Sequence, residues 1–179
     1  MNAPVLGTLP LQPAAGATHL LADPVASTLA SAADGIAYVT EIDPDHAETA
    51  TLTQLYDLPL TVSANCVIVL GKRGGQKRAA GCVVLADTRV DVNGAVRRQI
   101  DVRKCSFAPQ DFATERTRME YGGITPIGLP GDWPLLVDQR VAETDWVVIG
   151  SGLRRSKLVV PGAFLAALPA ATVLPDLGI

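Results

Sequence analysis

Two glycine-bearing segments hold the residues of this 179-residue chain whose types and spacing could do chemistry. The first is Tyr121 to Pro130, Tyr-Gly-Gly-Ile-Thr-Pro-Ile-Gly-Leu-Pro; the second is Gly150-Ser151-Gly152. Three glycines and two prolines in ten residues exclude a periodic element from the first segment. Glycine reaches conformations that a Cβ forbids and lets a ligand approach the main chain; proline fixes φ and removes an N–H. The remaining amides point where the loop dictates, and oriented amides can stabilise the oxyanion of a reacting carbonyl. The same composition suits a rigid connection between two core strands, and the residues alone leave both readings open.

Other chemistries fit less well. Ser151 has no histidine near it in sequence, since His19 and His46 both fall in the first fifty residues, so a serine-hydrolase triad is not expected. Gly150-x-Gly152 lacks the third glycine and the opening helix of a dinucleotide-binding turn. Cys66, Cys82 and Cys105 are odd in number, widely spaced and set among apolar residues, which argues for reduced buried thiols over a disulfide framework or a zinc site. His46, in Asp45-His46-Ala47-Glu48, reads as the first turn of a solvated helix. No metal and no cofactor is expected.

The elements that must position these loops follow from the apolar pattern. An Ala-rich helical segment spans Ala14 to Ala33, with Asp23 as a cap before Pro24, behind a loose arm over residues 1–12. Ile36 to Ile42 reads as a β-branched strand, and Asp43-Pro44-Asp45 as a turn into a helix reaching Tyr56, with Leu52 and Leu55 inward. Cys66 to Leu70 and Ala79 to Ala86 read as buried strands of one hairpin, the first fully buried because its apolar run is unbroken. Asp91 caps a short helix over Val92 to Ile100, Arg103 to Phe107 is a short strand, and Pro109 opens a helix to Thr117. Strands follow near 135–138, 145–150 and 157–160, with a last helix opening at Pro161. The chain divides into residues 1–35, an arm and helical segment, and a single domain over 36–179. With no regular βαβ repeat, the expected class is α+β.

At 48% hydrophobic and 4% aromatic, the core must be built from Val, Leu, Ala and Ile. No apolar run reaches membrane-spanning length, and the first Lys or Arg is Lys72, so neither a membrane association nor a secretory leader is expected and a cytoplasmic location is. The net charge of −3 hides an asymmetry: residues 1–71 carry seven acidic and no basic side chains, residues 72–179 fifteen basic and eleven acidic. Lys72-Arg73 and Arg154-Arg155 are the clusters expected to meet nucleic-acid phosphates.

Gly122-Gly123-Ile124-Thr125-Pro126 with Gly128 resembles the signature loop of the YbaK/prolyl-tRNA-synthetase-associated domain family. The order Leu135-Leu136-Val137-Asp138, Trp146 to Gly152 and Lys157 to Val160 is similar to that family's C-terminal half, and the resemblance covers about residues 36 to 170. It implies a mixed, barrel-like β-sheet flanked by helices, and an aminoacyl-tRNA deacylase that removes mischarged amino acids, in a family whose members are free-standing or inserted as editing domains in a synthetase. Its partners would be aminoacyl-tRNA, met transiently, and an aminoacyl-tRNA synthetase. The resemblance places the reaction at Asn65, Gly122, Gly123, Gly150 and Ser151. Substrate binding falls to Thr125, Pro126, Asp138 and Gly152, and tRNA contact to Lys72, Arg73, Arg154 and Arg155. Asp138 could orient Asn65 or a water, or could cap the turn before Val141. Asn65 stands where the family carries a lysine, and an amide cannot supply an ammonium's charge. A second reading therefore stays open: a relative that binds tRNA, an amino acid or a protein without hydrolysis.

Overall fold

The computed structural model describes residues 3–179; residues 1 and 2, where the expected arm begins, lie outside the described residues. The strands are β1 (Gln12–Pro13), β2 (Tyr38–Glu41), β3 (Ala64–Arg73), β4 (Gln76–Leu85), β5 (Cys105–Phe107), β6 (Leu135–Asp138), β7 (Val147–Gly150), β8 (Ser156–Val160) and β9 (Ala171–Leu174). The helices are α1 (Asp23–Leu29), α2 (Thr49–Leu55), α3 (Arg97–Gln99), α4 (Gln110–Thr117), α5 (Gln139–Ala142) and α6 (Gly162–Ala166). Among the described residues no helix is long and apolar enough to cross a membrane.

The strands form two sheets, in the orders β1-β2-β8-β7 and β5-β3-β4-β6-β9. The α+β class expected from the sequence is therefore present, but the barrel-like closure is not. One parallel bridge, Ser63 to Val148, connects the sheets. The reason lies on one edge of β3. That edge meets β7 at Ser63 and meets β5 antiparallel at Val69–Gly71, with the Ala108 N–H donating to the Ile68 carbonyl. Over Ala64–Val67 no strand pairs with it among the described residues, since β5 pairs only at Val69–Gly71 and β7 meets it only at Ser63. The gap makes a crevice.

The crevice explains a second difference from expectation. Cys66 and Val67 are only partly buried, although their apolar run reads as a fully buried strand. The main core lies instead under Val39, Val83, Leu135, Val137, Val147, Ile149, Leu158 and Val160. Leu20, Leu21 and Val25 of the N-terminal segment pack into this same core. Ala22, not Asp23, is the N-cap of α1, with Asp23 and Pro24 in its first turn. On α2, Leu52 and Thr53 are buried but Leu55 is 52% exposed. At about 100° per residue, Leu55 lies roughly 110° from the midline between Leu52 and Thr53, past the edge of the buried face. Phe112 of α4 stacks on Trp133 with centroids 5.9 Å apart, which presses α4 against the crevice side of β3.

Candidate active site

A cavity of 540 Å³ occupies the gap beside β3, within the range of small-molecule sites. Asn65, Cys66 and Ile68 line it from β3, Glu48 and Thr49 from the start of α2, and Phe107 and Ala108 from the end of β5. Tyr121, Gly122 and Ile124 come from the first glycine loop, Gly150 from β7, and Arg154 and Lys157 from the turn into β8 and from β8 itself. The cavity continues into a shallow groove bounded by Pro44, Glu120, Tyr121, Arg154 and Arg155.

The two glycine segments are stapled together at this wall. The Gly152 N–H donates to the Gly123 carbonyl at 2.8 Å, and the Glu120 N–H donates to the Gly152 carbonyl at 2.9 Å. Glu120 also accepts from the Arg154 N–H at 2.6 Å through its carboxylate. A Cβ on Gly150 would sit 2.4 Å from the Gly123 carbonyl oxygen, and one on Gly123 would meet the Leu153 backbone at 2.6 Å. Such approach is open only to glycine. The staple also decides which amides remain. The Gly123 N–H is held by the Glu120 carbonyl and the Gly152 N–H by Gly123. Gly122, at φ +85°, lines the cavity, and its N–H has no acceptor among the described residues.

Asn65 is oriented from below. The Thr49 hydroxyl donates to its Oδ1 at 2.7 Å, which leaves the amide NH₂ as the polar group offered to the cavity. Lys157 lies opposite, on the strand that pairs with Gly150. It is 7% exposed, in a strand otherwise made of Ser, Leu and Val, and its Nζ makes no hydrogen bond or ion pair among the described residues. Burial, reinforced by the nearby Arg154 guanidinium, pulls its pKa down to about 8. The sequence reading takes Lys157 as the start of an apolar strand and does not single it out. The available signal was a cation placed within a strand, directly before Leu158, Val159 and Val160. Burial pushes the Cys66 thiol up to about 12, so this cavity cysteine stays protonated and is no nucleophile at neutral pH.

The other expected residues take different places. Ser151 is fully buried off the cavity; its hydroxyl lies 2.7 Å from the Ser156 Oγ and accepts the Leu153 N–H at 3.2 Å, while Ser156 donates to the Leu20 carbonyl. This chain of hydroxyls fixes the turn between β7 and β8. Ser151→Ala is expected to lower stability by about 1–3 kcal/mol in urea unfolding, while the folded fraction keeps its activity; loss of activity without loss of stability would place Ser151 in the reaction. Asp138 caps α5 by accepting the Arg140 N–H at 3.0 Å and accepts the Gly178 N–H at 2.8 Å, so it serves the turn before Val141 and not Asn65. Thr125 and Pro126 are buried behind the loop, and the Thr125 hydroxyl has no partner among the described residues. Gly152 belongs to the staple. Lys72 and Arg73 sit at the far end of β3, ~23 Å from Asn65 at the usual rise per residue, and Arg73 is paired with Asp101. Arg154 lines the cavity and Arg155 the adjoining groove. Among the described residues no cluster of three His, Cys, Asp or Glu could hold a metal ion.

Residues 43–168 match the family model described as an aminoacyl-tRNA editing domain. Among curated proteins no match is found. Of solved structures, a candidate trans-editing enzyme for prolyl tRNA synthetase superposes with a TM-score of 0.74 at 22% identity, over 88% of this chain and 96% of that one. A scaffold used for computational grafting of linear epitopes gives 0.73 at 21% identity, over 88% and 97%. Hypothetical protein APE2540 gives 0.66 at 20% identity, over 75% and 87%. At these identities the likeness concerns the fold.

Proposed function

Because the chain belongs to the aminoacyl-tRNA editing domain family, we propose that it is a trans-editing hydrolase that clears mischarged aminoacyl-tRNA. The observation that carries this reading is the cavity itself: a crevice between β3 and the stapled glycine loops, supplied with donors and continued by a groove that Arg154 and Arg155 border. The groove takes the acceptor end of the tRNA, and the cavity takes the aminoacyl group. Water adds to the ester carbonyl carbon, the bond to the ribose oxygen breaks, that oxygen takes a proton, and the amino acid leaves. The Gly122 N–H and the Asn65 NH₂ are the donors available to the oxyanion that forms on the way. Glu48, on the wall beside Thr49, meets the substrate's α-ammonium. Selectivity comes from the apolar lining of Ala64, Val67, Ile68, Ala113 and Ile124, whose fit separates side chains by about 1–3 kcal/mol per methylene. Substrate of this kind reaches the protein in the cytoplasm, from an aminoacyl-tRNA synthetase that has mischarged it.

Deacylation assayed against a panel of mischarged tRNAs tests the proposal. At least one should be hydrolysed, and Asn65→Ala should lower kcat/KM on that substrate by roughly ten- to a hundredfold, about 1.4–2.7 kcal/mol. Asn65 in place of the family's lysine favours the second reading, a non-hydrolysing binder. A wild-type protein that binds the tRNAs but cleaves none would establish that reading instead.

A further inference from the structure

Lys157 is a cation that the fold buries without giving it a counter-ion. It is 7% exposed, it lines the cavity, and no carboxylate lies within ion-pair distance of its Nζ among the described residues. The charged and titratable groups around it do not remedy this. Arg154, in the preceding turn, is a like charge. Glu41, on the neighbouring strand β2, is oriented toward Arg155 at 3.9 Å. Glu120 is engaged by the Arg154 N–H. Glu48, Cys66 and Tyr121 line the same cavity but form no hydrogen bond or ion pair with Lys157. β7 brings only Gly150 opposite Lys157, and the glycine loop packs over Gly150 with backbone carbonyls, not with a carboxylate. A desolvated ammonium without a partner is costly in a fold, and a bound anion removes that cost.

We infer that the Lys157 ammonium is the anion-binding group of the cavity: from β8 it holds an anionic oxygen at the acylated end of the tRNA, and so supplies the positive charge that Asn65 cannot supply from β3. The identity of the anion rests on the deacylase reading; the existence of the site does not. Two oxygens at that end share the required chemistry, the phosphodiester of the terminal nucleotide and the oxyanion of the ester. A pKa near 8 in the empty protein adds a signature, because binding an anion favours the protonated lysine and so weakens as pH rises past that value.

The probe is adenosine 5′-monophosphate, which presents a phosphate on a nucleoside and survives alkaline pH. Its affinity for the wild type should fall about tenfold or more between pH 7 and pH 9.5. Lys157→Met should bind it at least tenfold more weakly at pH 7 and lose that pH dependence. Lys157→Arg, whose charge is fixed, should keep the affinity and lose the pH dependence as well. In parallel, deacylation kinetics of Lys157→Met separate the two oxygens: a raised KM with kcat kept places the phosphodiester on Lys157, and a lowered kcat with KM kept places the oxyanion there. Removing a buried charge should not harm folding, and the Lys157 side-chain NMR titration of the wild type, with and without the nucleotide, gives the same answer without any variant. A wild type that deacylates nothing would end the proposed function and leave the nucleotide data to decide the site. Equal nucleotide affinity in wild type and Lys157→Met, with no change in kcat or KM, overturns the inference whatever the enzyme does.

Discussion

Gly150→Ala is expected to reduce deacylation at least a hundredfold and to cost the fold about 2–4 kcal/mol. The added Cβ would stand 2.4 Å from the Gly123 carbonyl oxygen and 2.7 Å from that of Ile124. Both are backbone atoms, so no side chain can rotate away and the first glycine loop must move as a body. Its movement breaks the bond from the Gly152 N–H to the Gly123 carbonyl and displaces Gly122, which lines the cavity. Overpacking of this kind costs about 1–3 kcal/mol, and the lost buried hydrogen bond adds about 1. A displaced oxyanion donor alone accounts for about 10²–10³ in rate. Gly131→Ala is the control, because a Cβ there meets nothing within 4 Å. Chemical unfolding and single-turnover deacylation of the two variants make the comparison. If Gly150→Ala matched the control in both, the two loops would not be held together as described.

The second large effect is on stability, and its direction follows from where Lys157 titrates. In the unfolded chain a lysine titrates near 10.4, while in the folded protein burial and Arg154 hold Lys157 near 8. Between those values the unfolded chain binds a proton that the folded protein does not, so stability rises with pH through this window. Below pH 8 both states are charged and the full penalty of burial remains, roughly 3 kcal/mol. About 1 kcal/mol of it should be regained between pH 7 and pH 9. Cys66 works in the opposite sense: its folded pKa of about 12 lies above the ordinary thiol value of 9.0, so from pH 9 upward its ionisation favours the unfolded chain. The difference between wild type and Lys157→Met isolates the lysine. The variant should be more stable by roughly 2–3 kcal/mol at pH 7, with an advantage that shrinks by about 1 kcal/mol at pH 9. Urea unfolding at pH 7, 8 and 9 measures it. Identical pH profiles for the two proteins would show that Lys157 is hydrated and not desolvated.

A stabilising loss of Lys157 would also explain why its value was hard to read in advance. Apolar runs, glycines and prolines report local conformation, and they located β3, β4, β6, β7, β8 and both loops. The close backbone approach at Gly123 and Gly150 was legible because such approach needs glycine wherever it occurs. The direction of a side chain was not. Lys157 follows Arg154 and Arg155 in sequence, yet only the pairing of β8 between β2 and β7 turns it inward while the arginines stay at the rim. For Ser151 and Asp138 it was the hydrogen-bond partners that could not be read. Their residue types suit chemistry, but each is engaged by neighbours that only tertiary structure brings near, Ser156 and Leu153 for the first and Gly178 for the second. Which amides were free could not be read either, because the staple between Gly123 and Gly152 joins segments about thirty residues apart. The barrel failed to close for a reason also outside local pattern: two strands compete for one edge of β3.

That competition sets the aperture of the pocket. Its walls come from β3, the end of β5 and Gly150 of β7, so its width should depend on where β5 and β7 stand as well as on the bulk of the residues that line it. Those two strands are reached through short connections, residues 100–104 before β5 and 143–146 before β7, whose lengths should help set where the strands stand. A one-residue insertion or deletion in either segment would therefore resize the chamber while every residue lining it stayed the same. Among relatives built on this plan, acceptance of a smaller or larger amino acid should follow the lengths of those two connections, and a change of substrate can arise in evolution without a single substitution inside the pocket.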